Sequence, residues 1–255
     1  MKKHHKKLIS NHRKTIESNI RFVCTHLTRD YIRRGIDWYP DAKAQLLEYK
    51  LEHDSSLDYE MIAEITAVLS SNSRWNRNLN EVNYVLKYVN KYGSNIETNN
   101  ILNNRFWHTE SNYKKMWKCF NNKHVFSNTI TDRKTAKKTY SFANNLKLDN
   151  RFVTLDTWMY KIIARNYNDW QALLQNNTLA SINIYNAIEQ IFINIAADYN
   201  LYGYELQAAL WLIIQDEYKN IQDGIKNVPT KIYYSSWSKI DKYKISNTKN
   251  NYTHA

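Results

Sequence analysis

The chain has 255 residues but only four glycines and two prolines, which is little material for the many tight turns of an all-β fold. Its two cysteines, Cys24 and Cys119, are too few for a disulfide framework or a thiolate zinc site. The eight histidines show no zinc-ligand spacing, and the chain has neither a glycine-rich phosphate loop nor a Gly-x-Ser-x-Gly nucleophile turn. We therefore expect no metal and no cofactor.

Long apolar runs are also missing. No run approaches the length that crosses a membrane, and the basic start at 1–10 has no apolar stretch behind it, unlike a signal peptide. We therefore expect a soluble, intracellular protein with no membrane partner. The hydrophobic content of 43%, with 20 Tyr and 8 Trp, is typical of a globular chain and not of a disordered one.

Positive charge is what the chain has in excess, with 36 Lys and Arg against 24 Asp and Glu, or a net charge of +12. A field of this size concentrates polyanions and makes their binding depend on salt, so nucleic acid is the predicted partner. The basic clusters lie at 2–7, 114–115 and 133–138. A compositional bias toward Lys, Asn, Ile and Tyr, as in AT-rich genomes, is the alternative explanation.

Apolar residues recur mostly at the spacing of amphipathic helices, and strict alternation is scarce. The sequence therefore predicts an all-α fold, with 151–155 as the one short extended candidate. Ser55 and Asp58 are placed as a capping box before one helix, Gly93 as the C-cap of another, and Pro40 as the start of a third. The predicted helices cover about 15–33, 40–50, 61–69, 79–89, 112–120, 133–145, 156–166, 179–199 and 204–220.

Two short stretches carry the most specific functional signal, Ile-Thr-Asp-Arg-Lys-Thr-Ala at 130–136 and Val-Thr-Leu-Asp-Thr at 153–157. Lys134 enters one predicted helix, and Asp156 stands 22 positions later (156 − 134) at the start of the next. This order and spacing resemble the catalytic segment of the helix-hairpin-helix DNA glycosylases, the superfamily of endonuclease III. In that family an Arg-Lys-Thr-Ala stretch after a tight hairpin carries a lysine, and a Val-Asp-Thr-His stretch carries an aspartate.

The resemblance implies a catalytic role for each of these two residues. Loss of a base from deoxyribose builds positive charge on the sugar, and a fixed carboxylate, here Asp156, stabilises that charge. A lysine in the place of Lys134 attacks the sugar carbon in the bifunctional members, forms a Schiff base and leads to strand cleavage. The simpler alternatives are that Asp156 is an ordinary N-cap and that Lys134 is a solvated or phosphate-touching side chain.

Other parts of the chain resemble the same family in the same order. The turn at 70–75 is similar to the family's Leu-Ser-x-Gln-Thr turn, which fills the gap left by a flipped nucleotide, and 205–214 is similar to its closing helix. The resemblance implies that Asn72 fills the gap, Arg74 reaches a phosphate and Trp75 stacks on a displaced base. A polar turn with a core tryptophan is the alternative. The hairpin residues implied to contact DNA are Asp132, Arg133, Thr135, Lys137 and Lys138.

The chain also departs from the family at several positions. It has no glycine between Gly93 and Gly203, whereas the family's hairpin uses glycines to bring backbone amides to a DNA phosphate. Trp158 stands where His usually follows Asp-Thr, and two cysteines cannot hold the four-cysteine iron–sulfur cluster of some members. The segment 33–42 is similar to part of glycosylase-like proteins encoded by bacteriophages. We therefore expect an altered hairpin and an unusual substrate.

The resemblance implies two helical lobes with the active-site cleft between them. One lobe is formed by 15–55 together with 156–236, and the other, 56–155, is a helical bundle that carries the hairpin. A basic tail at 1–14 and a polar tail at 237–255 flank the lobes.

The predicted function is that of a DNA glycosylase, a hydrolase that flips a damaged or modified base out of duplex DNA and excises it, with AP-lyase activity if Lys134 attacks the sugar. We expect a monomer in the cytoplasm, associated with the nucleoid, or in the host cytoplasm if a phage encodes it, and acting in repair or antiviral defence. Two alternatives stay open. One is a non-catalytic DNA-binding or phage structural protein that keeps the glycosylase fold, and the other is an enzyme of DNA base hypermodification.

Overall fold

The computed structural model describes residues 3–70, 73–92, 115–116, 136–164 and 182–222. These residues form helices and connecting turns, with no strand among them, so the predicted all-α fold is confirmed. None of the described helices combines the length and the apolar composition that a membrane-spanning segment requires. The helices are α1 (Lys3–Cys24), α2 (Arg29–Glu52), α3 (Tyr59–Leu69), α4 (Trp75–Tyr92), α5 (Lys137–Leu146), α6 (Thr157–Ile163), α7 (Ile182–Ala197) and α8 (Gly203–Gln222).

The first two helices are separated by a break that the sequence analysis did not predict. The sequence predicts one helix over 15–33, but the chain turns at 25–28 between α1 and α2. The hydroxyl oxygen of Thr28 accepts a hydrogen bond from the backbone N–H of Tyr31 at 3.3 Å, as an N-cap side chain does. Helix α1 also reaches back over 3–14, where the sequence predicts a basic tail.

Pro40 lies inside α2, so the prediction that it starts a helix was wrong. A proline inside a helix removes a hydrogen bond to the carbonyl four residues earlier, here Ile36, and costs about 3 kcal/mol. The helix nevertheless continues, because a buried stripe runs along it on both sides of the proline. Tyr39, Ala42 and Leu46 are all almost fully buried at helical spacing. Packing therefore outweighs the local preference.

Residues 1–36 and 155–255 form one compact unit, which we call unit 1. It contains α1, the first part of α2, and helices α6 to α8. Its core is built from aliphatic side chains at helical spacing on α1, α7 and α8. Within the unit, the side-chain amide of Asn19 on α1 donates a hydrogen bond to the carbonyl oxygen of Ile163 at 2.8 Å, at the end of α6. This bond satisfies a buried polar side chain and a helix-end carbonyl together.

Helices α2 and α8 approach each other closely within unit 1. A Cβ added to Gly35 would lie 2.7 Å from the Cβ of Ala209 and 2.8 Å from the carbonyl oxygen of Glu205. Only glycine fits at this crossing, because real Cβ atoms do not come so close to backbone atoms. The Tyr31 hydroxyl strengthens the same contact by donating a hydrogen bond to the carboxylate of Asp216 at 3.0 Å.

Residues 37–154 form the second compact unit, unit 2. It contains the rest of α2 and helices α3 to α5, and α3 is its central element, since every residue from 62 to 69 is buried. Helix α3 begins at Asp58, whose carboxylate accepts a hydrogen bond from the backbone N–H of Met61 at 2.7 Å. The N-cap is therefore Asp58, and the predicted capping box starting at Ser55 was wrong.

Aromatic side chains cover α2 within unit 2. The ring centroid of Trp38 lies 5.3 Å from that of Trp75 and 6.2 Å from that of Phe142, and Tyr39 lies 6.3 Å from Phe142. The Tyr39 hydroxyl donates to Thr154 Oγ1 at 3.4 Å. These contacts join α2, α4 and α5 through large side chains, since aromatic groups supply most contact area per residue.

The segment 151–155, predicted to be extended, forms no strand. Asn145 in α5 holds it instead. The Asn145 side-chain amide donates to the carbonyl oxygen of Phe152 at 2.8 Å, and its oxygen accepts from the Thr154 hydroxyl at 2.8 Å. A buried asparagine thus satisfies polar groups of this buried stretch without a neighbouring strand.

The unit boundaries fall between 36 and 37 and between 154 and 155, whereas the sequence predicts lobe boundaries near 55 and 155. The first boundary lies within α2, which is one uninterrupted helix in both units. Gly93, the tail at 237–255 and most of the helix predicted at 112–120 lie outside the described residues.

Candidate functional site

Asp156 is the N-cap of α6, with an extended backbone (φ −95°, ψ −175°). Its Oδ1 accepts two hydrogen bonds, from the backbone N–H of Trp158 at 2.9 Å and from that of Met159 at 3.0 Å. The structure therefore gives Asp156 the capping role that the sequence analysis names as the simpler alternative. A cap does not conflict with catalysis, because both roles need a carboxylate that is held in one orientation.

The chain on either side of Asp156 is anchored in the core of unit 1. Leu155 is buried, and its backbone N–H donates a hydrogen bond to the hydroxyl oxygen of Tyr185 on α7 at 2.9 Å. Met159, in the first turn of α6, is fully buried. The carboxylate of Asp156 is itself half-buried. Anchors on both sides thus limit the motion of the Asp156 backbone.

Helix α6, which Asp156 caps, carries aromatic and basic side chains that contact one another. Trp158, which stands where the resembling family has histidine, packs edge to face on Tyr218 of α8 at 5.6 Å between ring centroids. The Nζ of buried Lys161 lies 4.7 Å from the Trp158 ring, within cation–π range. Burial and then the nearby Asp156 carboxylate raise the pKa of Tyr160, so its phenol is neutral. The helix that Asp156 caps therefore carries a buried lysine and the aromatic side chains of Trp158 and Tyr160.

The two basic residues at the start of α5 lie in unit 2. Lys137 and Lys138 are both half-buried, and burial lowers the pKa of Lys137. The N-cap residue of this helix, Ala136, provides no side-chain hydrogen bond to the first amides. Contact of either lysine with DNA stays a prediction.

The turn residues Arg74 and Trp75 differ in their surroundings. Arg74 is exposed. Trp75 is half-buried, its indole N–H donates to the side-chain oxygen of Gln45 at 3.1 Å, and its ring packs on Trp38. These contacts make Trp75 part of the aromatic cluster of unit 2, as the alternative interpretation had it. Its stacking on a displaced base, and a phosphate contact of Arg74, stay predictions.

Five of the predicted site residues lie outside the described residues. Their roles stay predictions of the sequence alone. They are Asn72, Asp132, Arg133, Lys134 and Thr135.

The described residues contain no group of three or more His, Cys, Asp or Glu side chains placed to hold a metal ion. Cys24 is a free thiol in the core of unit 1. Burial raises its pKa to about 11, so the sulfur is protonated at neutral pH and is a poor nucleophile.

Sequence reasoning missed Tyr185, which accepts a hydrogen bond from the backbone of Leu155, and Lys161, which contacts Trp158. Tyr185 stands 29 positions after Asp156 (185 − 156), and nothing in its local pattern distinguishes it from other tyrosines of an amphipathic helix. Lys161 follows an i+3 spacing from Trp158 that predicts contact on one helix face. That spacing could have predicted the contact between Lys161 and Trp158.

Residues 1–218 match the model of a protein family described as a family of unknown function, DUF7178, and the chain belongs to that family. No curated protein and no solved structure matches the chain.

Proposed function

We propose that this member of a family of unknown function binds duplex DNA and releases a base by cleaving its N-glycosidic bond, with Asp156 as the essential carboxylate. The observation that carries the proposal is the placement of Asp156, a half-buried carboxylate fixed by two backbone amides at 2.9 and 3.0 Å. The order of the resembling segments along the chain and the net charge of +12 support it.

The proposed chemistry needs little from the protein beyond positioning. As the bond between the sugar C1′ and the base nitrogen breaks, the base takes the electron pair and the sugar becomes positively charged. A carboxylate held beside the sugar stabilises that charge, and it is more effective when it does not have to reorient. Water then adds to C1′, and its proton is released to the departing base or to solvent. Asp156 meets the requirement because its orientation is set by the helix that it caps.

The proposal is tested with duplex oligonucleotides that each carry one modified base, with alkali-labile abasic sites as the readout. Asp156→Asn preserves size and some capping ability but removes the charge, so we expect release to slow by about 100-fold or more. Asp58→Asn is the matched control, since Asp58 also caps a helix through its carboxylate. It should leave release unchanged. A folded Asp156→Asn variant with full activity would show that Asp156 is only a cap.

Lys134 determines whether the strand is also cut. If the lysine is the nucleophile, borohydride traps a covalent protein–DNA adduct, and Lys134→Gln abolishes both the adduct and the strand cleavage. We expect base release without an adduct, because the hairpin lacks the glycines that position this lysine in the resembling family. A strong adduct that disappears in the Gln variant would overturn this expectation.

A DNA-binding protein that releases no base is the second candidate. The observation that favours it is the cap itself, because capping alone explains an aspartate at the start of α6. Both candidates predict that duplex affinity falls steeply with salt, with a log–log slope that reports the number of phosphates contacted. Tight binding with no release from any duplex of the panel would favour the second candidate. Affinity that hardly changes with salt would contradict both.

A further inference from the structure

Three tyrosines form a ladder along α4, and we call Tyr84, Tyr88 and Tyr92 the tyrosine ladder. They stand at i, i+4 and i+8, which places them above one another on one face of the helix. The ring centroids of Tyr84 and Tyr88 are 6.3 Å apart with the planes inclined by 25°, and those of Tyr88 and Tyr92 are 4.6 Å apart. Tyr84 is 37% exposed and Tyr92 is 56% exposed, so the ladder presents ring surface to solvent.

The charged side chains at the exposed positions of α4 itself are all basic. The exposed positions of α4 hold only Asn, Arg, Lys and Tyr, and the one acid of the helix, Glu81, is buried beside Arg77. Lys87 is exposed between Tyr84 and Tyr88, and the Nζ of Lys91 lies 4.9 Å from the centre of the Tyr92 ring. Exposed tyrosine rings next to lysines form a surface that attracts an anion bearing flat, polarisable groups.

We propose that the tyrosine ladder of α4 is a stacking site for the bases of single-stranded nucleic acid, with Lys87 and Lys91 contacting the phosphates. Aromatic side chains flanked by cations bind single strands without regard to sequence, because every base has a π-face. The exposed positions of α4 have no aliphatic side chain, and every charged residue among them is basic. The surface therefore matches a polyanion with aromatic groups better than it matches another protein.

The spacing of the rings favours an unpaired strand over a duplex. Successive ladder positions rise by about 6 Å along the helix, four residues at about 1.5 Å each. Bases in a duplex stack at a rise of about 3.4 Å per step and keep their faces covered. The ring centroids, 6.3 and 4.6 Å apart, are also farther from one another than the stacked bases of a duplex, so the ladder fits bases that have separated, at one base per ring. About three nucleotides would be bound along the ladder.

This inference goes beyond base excision and does not depend on Asp156, because the ladder lies in unit 2 and the cap lies in unit 1. The two can therefore fail separately. Loss of base release in Asp156→Asn tests the cap, whereas affinity for an unpaired strand tests the ladder.

The experiment measures binding of the full chain to a fluorescein-labelled, twelve-nucleotide oligothymidylate by anisotropy. Tyr84→Ala and Tyr92→Ala should each weaken binding by roughly fivefold or more, and the double variant by roughly 25-fold or more. The matched Tyr84→Phe and Tyr92→Phe variants keep the rings and should bind within about twofold of the parent chain. Tyr202→Ala is the control for loss of an exposed tyrosine elsewhere, since Tyr202 is 53% exposed on unit 1, and it should not change the affinity.

Lys87→Gln tests the phosphate contact separately. For a single strand, the log–log slope of affinity against salt should become shallower by about 0.7 when one phosphate contact is removed. Affinity for a blunt duplex should be unchanged in the Tyr84→Ala and Tyr92→Ala variants.

Three results would overturn the proposal. One is an oligothymidylate affinity that stays unchanged in folded Tyr84→Ala and Tyr92→Ala variants. Another is a loss as large in the Phe variants as in the Ala variants, since the rings are retained there. The third is self-association of the parent chain in sedimentation that the Ala variants lose while oligonucleotide affinity is unchanged, which would assign the ladder to contact with a second copy of the chain.

Discussion

Helix α2 runs through both units and is packed differently in each. In unit 1 it approaches α8 so closely that Gly35 has no room for a Cβ, which would lie 2.7 Å from that of Ala209. In unit 2 the same helix presents the large rings of Trp38 and Tyr39, which pack against Phe142 of α5. One part of the helix is therefore sensitive to added atoms, and the other part to removed atoms. Helix propensity alone does not predict which applies.

The largest effect is expected from removing an aromatic side chain in unit 2. Tyr39 is almost fully buried, so Tyr39→Ala should lower the free energy of unfolding by about 3–5 kcal/mol, as truncation of buried aromatic residues does. Tyr39→Phe keeps the ring, loses the hydroxyl contact with Thr154 at 3.4 Å, and should cost about 1 kcal/mol or less. Urea unfolding curves measure both changes. An equal loss in the two variants would break the comparison, because it would make the hydroxyl and not the ring the stabilising group.

Adding a methyl group in unit 1 should have the next largest effect. Gly35→Ala gains up to about 1 kcal/mol in helix propensity, but crowding at a tight contact typically costs about 1–3 kcal/mol. We expect a net loss in the free energy of unfolding, measured by urea denaturation. Ala209→Gly in the same chain should restore only part of it, because the Glu205 carbonyl oxygen would still lie 2.8 Å from the new Cβ. Stabilisation by Gly35→Ala alone would contradict the close approach of α2 and α8.

Removing the two aspartate caps should change the free energy of unfolding less, but it compares the two units directly. Asp156 accepts from two amides and is half-buried, whereas Asp58 accepts from one amide and is exposed. Loss of a cap costs about 0.5–2 kcal/mol, so Asp156→Ala should fall near the upper end and Asp58→Ala near the lower end. Thermal or urea unfolding measures the difference. Equal costs would show that the second amide and the burial add nothing to the Asp156 cap.

The smallest expected effect is a change in the stability of unit 1 at alkaline pH. Burial, followed by the hydrogen bond to Asp216, raises the pKa of Tyr31 to about 12, compared with about 10 in an unfolded chain. Because the folded pKa is the higher one, the stabilisation is complete below pH 10 and is lost as the pH rises toward 12. Tyr31→Phe should therefore make the fall in the urea midpoint between pH 10 and 12 less steep. An identical pH dependence in the two proteins would contradict the shift.

Much of the helical fold could be predicted, because buried side chains repeat at helical spacing along α4, α7 and α8. The errors occurred where tertiary contacts override local preference. The local preference of proline predicts a helix start at Pro40, but the buried stripe of α2 continues on both sides of it. Threonine is a favoured N-cap residue, yet the apolar pattern of 15–33 predicted one continuous helix through Thr28. The continuation of α2 through Pro40 depends on packing partners that are distant in sequence, whereas the Thr28 cap is a local contact with Tyr31.

Less of the candidate site could be predicted. The sequence indicated that Asp156 begins a helix, since a polar residue precedes an apolar run there, and both the cap and the catalytic interpretation rest on that position. Its anchors could not be predicted, because the contact between Leu155 and Tyr185 joins residues 30 positions apart. The spacing of the three tyrosines predicts that they share one face of α4. It does not predict whether that face is exposed, and exposure is what distinguishes a binding surface from a buried core stripe.

The two-segment composition of unit 1 has a consequence for synthesis on the ribosome. Unit 2 is one continuous stretch, 37–154, whereas unit 1 combines 1–36 with 155–255. A nascent chain that has emerged only as far as 154 contains every residue of unit 2 but lacks α6, α7 and α8. The apolar face of α1 therefore stays exposed until these helices emerge, and exposed apolar surface favours chaperone binding. We expect stalled chains to acquire protease resistance over α3, α4 and α5 first, and over α1 only after the C-terminal helices have emerged.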